Sequence, residues 1–113
     1  MNCQEITTLL TALRQSGRVR PDDEQCEALA HALDNMPASE IALFGSRVEP
    51  DRRGGDIDVL LLTEAPAFET DRAVAVRFFS RCEEKIDLMV LHPGAITPEQ
   101  QDFLSRIHKV ELA

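Results

Sequence analysis

The run "DIDVLLLT", residues 56–63, restricts the fold more than any other stretch of the chain. Beyond its two acids it is unbroken aliphatic sequence, too apolar to have a wet face. Such a strand has to lie inside layers. "EIALF" (40–44) and "KIDLMVL" (85–91) read as two further short buried strands. The segments around them carry helical periodicity. Ile6, Leu9, Leu10 and Leu13 form one stripe that Gly17 ends. In the next helix Asp22 and Gln25 have capping-box spacing, Cys26, Leu29, Ala30 and Leu33 form the apolar face, and Pro37 closes it. Residues 66–83 predict a third helix with Val74, Phe78 and Cys82 on one side and Phe79 beside them. Thr97, Pro98 and Gln100 open a last helix through His108, with Phe103, Leu104 and Ile107 as its core face. The expected class is α/β (α+β), a three-stranded sheet covered by helices, in one domain spanning 1–113. Residues 1–36 are its helical lead-in, 40–91 its core and 97–108 its C-terminal helix. Strand order and direction do not follow from the pattern.

Composition excludes several functions. A net charge of −8, spread along the chain, repels a phosphate backbone, so independent nucleic-acid binding is not expected. With five Phe and neither Trp nor Tyr, the chain also lacks the aromatic surface of a single-strand stacking platform. Cys3, Cys26 and Cys82 are odd in number and have no paired metal spacing. They read as small hydrophobes in a reducing compartment. "MNCQEITTLL" lacks a basic segment followed by a long apolar one, and no stretch is long enough to span a bilayer. The expected location is cytoplasmic, without membrane attachment.

The two acids at the head of the central strand are out of place. Side chains alternate along a strand, so Asp56 and Asp58 point the same way, ~6.7 Å apart, while Ile57, Val59 and Leu61 face the core. Like charges at this spacing resist ionisation when partly buried, and a divalent cation between them removes that cost. Asp87 interrupts "KIDLMVL" at the matching place. If the two strands are neighbours, the three carboxylates converge into a hard-oxygen set suited to magnesium, which takes its remaining ligands from water and substrate phosphates. Two such ions ~4 Å apart would activate an attacking hydroxyl and stabilise a leaving pyrophosphate.

Upstream, in "LFGSRVEP", Gly45 allows close backbone approach to a ligand, and Ser46 offers a hydroxyl and an N–H at the start of a short helix. Arg47, Arg52 and Arg53 add cations suited to a triphosphate. Each piece alone has an ordinary reading. An Asp-x-Asp pair is commonly a strand start, Gly-Ser a turn, and Asp87 a partner for Lys85 or for an arginine at the strand end. The pair is not a calcium loop, because "VLLL" stands where later oxygen ligands belong. His31 lies off its helix stripe, His92 precedes Pro93-Gly94 in a turn, and His108 sits at a helix end, so none is assigned a role.

Taken together, "LFGSR", "DID" and "KIDLMVL", with nine residues between Ser46 and Asp56, resemble the minimal nucleotidyltransferases of the DNA polymerase β-like superfamily. The likeness runs from about Leu29 to Leu91. It implies a mixed, nucleotidyltransferase-like sheet with helices, Mg²⁺ (two ions) and ATP or another NTP as substrate. It further implies that Gly45, Ser46 and Arg47 bind the nucleotide and that Asp56 and Asp58 ligate metal. Asp87 would complete the metal site and help deprotonate the acceptor. The chain reads "GSRVEP" where members often read GSRARG, and Gly55 where they often carry serine.

The expected activity is transfer of AMP, or another NMP, to an acceptor hydroxyl. A chain this short leaves the acceptor pocket to a partner or a second copy. Family resemblance points to a helical HEPN-type toxin, which the transferase would neutralise as antitoxin, in some pairs by adenylylating a tyrosine. With no tyrosine of its own, this chain cannot be modified in that way. Two alternatives stand beside it. One is a catalytically weak or silent module that neutralises its partner by binding, and the other is a transferase acting on an antibiotic-like hydroxyl.

Overall fold

A computed structural model describes residues 1–19, 21–48 and 56–112, and for Ser46 and Arg47 the backbone alone. It is a mixed α+β fold. The order is α1 (Cys3–Gln15), α2 (Asp23–Ala32), β1 (Glu40–Phe44), a 3-10 turn (Gly45–Val48), β2 (Ile57–Leu62), α3 (Ala67–Phe79), β3 (Ile86–Leu91), α4 (Pro98–Arg106) and β4 (Lys109–Glu111).

Helix starts follow side-chain chemistry. Asn2, Asp22 and Thr97 each accept a hydrogen bond from the third helical N–H, and Glu5, Gln25 and Gln100 each accept one from the cap N–H in return. The ends fall earlier than the sequence pattern predicts. α2 stops at Ala32, with Asn35 in the left-handed region at φ 53°, so Pro37 lies beyond the end rather than making it. α3 stops at Phe79, leaving Cys82 buried in the turn after it, and α4 stops at Arg106, short of His108.

The sheet corrects the three-stranded expectation. It has four strands in the order β3-β2-β1-β4. β1 runs antiparallel to both β2 and β4, and β2 runs parallel to β3. β4 comprises residues beyond the predicted last helix, to which the sequence pattern assigns no element. It is held by pairing with β1 and by the Leu112 N–H donating to the Ile41 carbonyl at 2.7 Å.

The faces divide cleanly. Ile41, Leu43, Ile57, Val59, Leu61 and Ile86 join α1, α2 and α3 in the main core, which also contains Ile6, Leu10, Leu29, Val74 and Phe78. The alternate residues Ala42, Leu60 and Leu91 face the other way, with Phe44, Leu62, Met89 and Leu104 half-buried around them. Among the described residues α4 is the helix that approaches this second face, through Leu104 and an edge-to-face contact of Phe103 on Phe44 at 5.9 Å. The expected core face of α4 is thereby corrected: Phe103, Leu104 and Ile107 are half-buried, and no residue of the helix is fully buried. The layers are unequal. No helix among the described residues is long and apolar enough to cross a membrane.

Candidate active site on the second face of the sheet

Asp58 and Asp87 are register partners in the parallel β2–β3 pair. Directly paired residues project from the same face of a sheet, so the two carboxylates rise side by side. Their face is the one carrying Leu60, Leu62, Met89 and Leu91, away from the main core. Asp56 precedes β2 by one residue and is half-buried. The alternation that points Ile57, Val59 and Leu61 inward is therefore what turns the acids outward. Across the other ladder Asp58 is opposite Phe44.

Gly45 follows Phe44 directly. Its φ of +75° lies in the left-handed region, and a Cβ built on it would come within 2.1 Å of Asp58 Oδ2. The Asp58 carboxylate therefore occupies the space a side chain at position 45 would need. The Gly-Ser step and the Asp-x-Asp pair, far apart in sequence, meet at this point. From Gly45 the chain enters the 3-10 turn through Val48, whose side chain is buried in the main core. The side chains of Ser46 and Arg47, together with Arg52, Arg53 and the rest of 49–55, lie outside the described residues.

The electrostatics agree with crowding. Burial first, then the charge of Asp87 and that of Asp56, push the Asp58 carboxyl up from its ordinary value. Lys85 stands 3.5 Å from Asp56, a largely exposed pair of little energetic weight. Among the described residues no Lys, Arg or His forms an ion pair with Asp58 or Asp87. The ordinary reading of Asp87 as a partner for Lys85 is not what the described residues show, since Lys85 turns to Asp56, and the arginines of 47–53 lie outside the described side chains.

The donor chemistry suits a hard divalent cation, since the Asp58 and Asp87 carboxylates are drawn to one face by backbone register. As placed, no three His, Cys, Asp or Glu side chains among the described residues stand close enough to hold a metal ion. Two neighbours of the site read from sequence only as core residues. Phe44 and Phe103 together form an apolar wall beside Asp58. Nothing local in the sequence marks that contact, because it depends on where α4 returns to the sheet.

No protein-family model matches the chain, and no curated protein matches it.

Proposed function

We propose that the chain is a Mg²⁺-dependent nucleotidyltransferase that moves AMP, or another NMP, from an NTP to a hydroxyl on a partner protein. The observation that carries this reading is the in-register pairing of Asp58 with Asp87, beside the left-handed Gly45 that the Asp58 carboxylate overhangs. Asp56, Asp58 and Asp87 would hold the metal, two ions when substrate is bound. Gly45, Ser46 and Arg47 would receive the phosphates of ATP or another NTP. The backbone register already aligns Asp58 and Asp87, so gathering the carboxylates asks for side-chain rotation once a cation offsets their repulsion.

In the proposed reaction the acceptor hydroxyl gives its proton to Asp87, the exposed member of the pair. Its oxygen attacks the α-phosphorus in line. A new P–O bond forms to the acceptor, the bond from the α-phosphorus to the bridging oxygen breaks, and pyrophosphate leaves. Bound magnesium would neutralise charge on the phosphates and lower the pKa of the attacking hydroxyl. The acceptor belongs to another molecule when it is tyrosyl, because the chain contains no tyrosine. A HEPN-type helical toxin, with this chain as its antitoxin in a cytoplasmic pair, is the partner class we favour.

The test is incubation of the purified protein with Mg²⁺, α-labelled ATP and candidate acceptors, including the product of any adjacent gene. Label should pass to protein with release of pyrophosphate. Asp58→Asn or Asp87→Asn should lower the rate by about 100-fold or more. A complex that persists in these variants, with no label transferred by the wild type, would replace the enzyme with a binding antitoxin. Label found on a small molecule in protein-free extract would replace the protein acceptor with an antibiotic-type one.

A further inference from the structure

The outer side of α3 has the composition of an inner one. The helix turns Thr70, Val74 and Phe78 into the core, yet Phe68, Val76 and Phe79 on its other side are 77%, 62% and 49% exposed. These three, with Met1, are the exposed large hydrophobic residues among those described. Spaced at eight and then three residues, they form one stripe ~16 Å long, three turns of helix. Large apolar side chains exposed along one side of a helix, even with Arg72 between two of them, are a different matter from a lone exposed leucine and mark a contact surface.

At the C-terminal end of the stripe lies an acidic cleft of about 460 Å³ with Phe79 on its wall. Asp22 and Glu24 line it from the start of α2, and Glu83 and Glu84 from the turn after α3. Among the described residues the cation in the lining is Arg81, which is drawn to Glu27 at 3.3 Å. Along the stripe itself Arg72, Arg77 and Glu69 stand among the apolar residues, and Arg77 donates to the Asp34 carbonyl at 3.4 Å. The surface therefore runs from apolar to strongly anionic along one line.

We propose that this surface, Phe68–Val76–Phe79 continued by the Asp22/Glu24/Glu83/Glu84 cleft, docks a basic amphipathic helix of a partner protein. Apolar residues of that helix at i, i+4 and i+7 cover the stripe, and lysines or arginines at one end enter the cleft. Charge decides against a second copy of this chain. With a net charge of −8, a like molecule brings more anions to a site already holding four. The docking surface and the carboxylate face belong to different sides of the sheet, since α3 packs in the main core and the acids face away from it. Docking on α3 therefore does not depend on whether the acids transfer a nucleotide.

The probe is an amidated helical peptide of about 16 residues, leucine along one face and lysine elsewhere, titrated by fluorescence anisotropy against the full chain without nucleotide or metal. Two further peptides control it, one with the same composition scrambled to remove the apolar face and one with glutamate in place of lysine. The amphipathic basic peptide should bind at least tenfold more tightly than either. Phe68→Ser with Val76→Ser should weaken it about tenfold, with far-ultraviolet circular dichroism unchanged because both side chains are exposed. Glu83→Gln with Glu84→Gln should weaken it several-fold and flatten its salt dependence. Equal binding of the scrambled peptide, or full binding by both double variants, overturns the proposal. So does a concentration-dependent dimer of the free protein that Phe68→Ser with Val76→Ser dissolves, which would give the stripe to a second copy.

Discussion

At the scale of single residues, Asp58 and Gly45 constrain one another. Gly45→Ala forces a β-carbon into the space of the Asp58 carboxylate and holds an L-residue at φ +75°. The backbone part should cost about 1–2 kcal/mol of stability, measured by denaturant titration. The carboxylate, the movable side of that contact, swings away, so any metal-dependent activity should fall further than stability does. Asp58 also makes a pH prediction. Folding raises the pKa of its carboxyl through burial and the charges of Asp87 and Asp56, so the native state holds that proton more tightly than the unfolded chain. The native state therefore loses stability as pH rises through the carboxylate range and stays penalised above it. Asp58→Asn should raise the unfolding midpoint at about pH 7.5 and leave it unchanged near about pH 3, where the wild-type group is protonated in both states. A variant destabilised at neutral pH would show that Asp58 is already compensated by a contact outside the described residues.

At the scale of elements, β4 shows how far local pattern reaches. The capping boxes at Asp22 and Thr97 were legible because each is closed by residues three apart, and the alternation in "DIDVLLLT" was legible because it is written in consecutive residues. β4 is three residues long, Lys109–Glu111, with no alternation to speak of, and its conformation comes from the open edge of β1. Val110 is 1% exposed in the main core, whereas Lys109 salt-bridges Glu40 at 2.6 Å on the other face. Val110→Asp should therefore destabilise the fold by about 3 kcal/mol, by placing a charge in the main core. A cost under about 0.5 kcal/mol, the usual size for a surface change, would return residues 109–111 to the unpaired chain end that the sequence pattern leaves there. The same limit governs the site. The sequence shows an acid near the head of each of two strands, but the adjacency and parallel direction of β2 and β3 arise from α3 crossing between them. The same packing exposes Phe79, which helical spacing alone puts beside the core.

At the scale of the whole molecule, net charge and the carboxylate face make opposing demands. A chain at −8 resists compaction by self-repulsion, and added salt relieves this without regard to position. A specific cation site relieves it at one place, so the two effects separate when ionic strength is matched. If Mg²⁺ binds the native state alone with a dissociation constant of about 1 mM, about 10 mM of it should add about 1.4 kcal/mol. For a chain of this length that is an increase of roughly 5 °C in the thermal midpoint beyond the gain from sodium chloride at equal ionic strength. Ca²⁺ should be able to replace Mg²⁺ in this measurement, because oxygen donors on a surface half-covered by α4 place little limit on ion size. Asp58→Asn with Asp87→Asn should abolish the excess while retaining the sodium chloride effect, whereas Glu83→Gln with Glu84→Gln should leave both. An excess that survives loss of the β2–β3 pair would make Mg²⁺ a diffuse counter-ion of an acidic surface, and the register that faces two carboxylates across parallel strands would need an explanation other than metal.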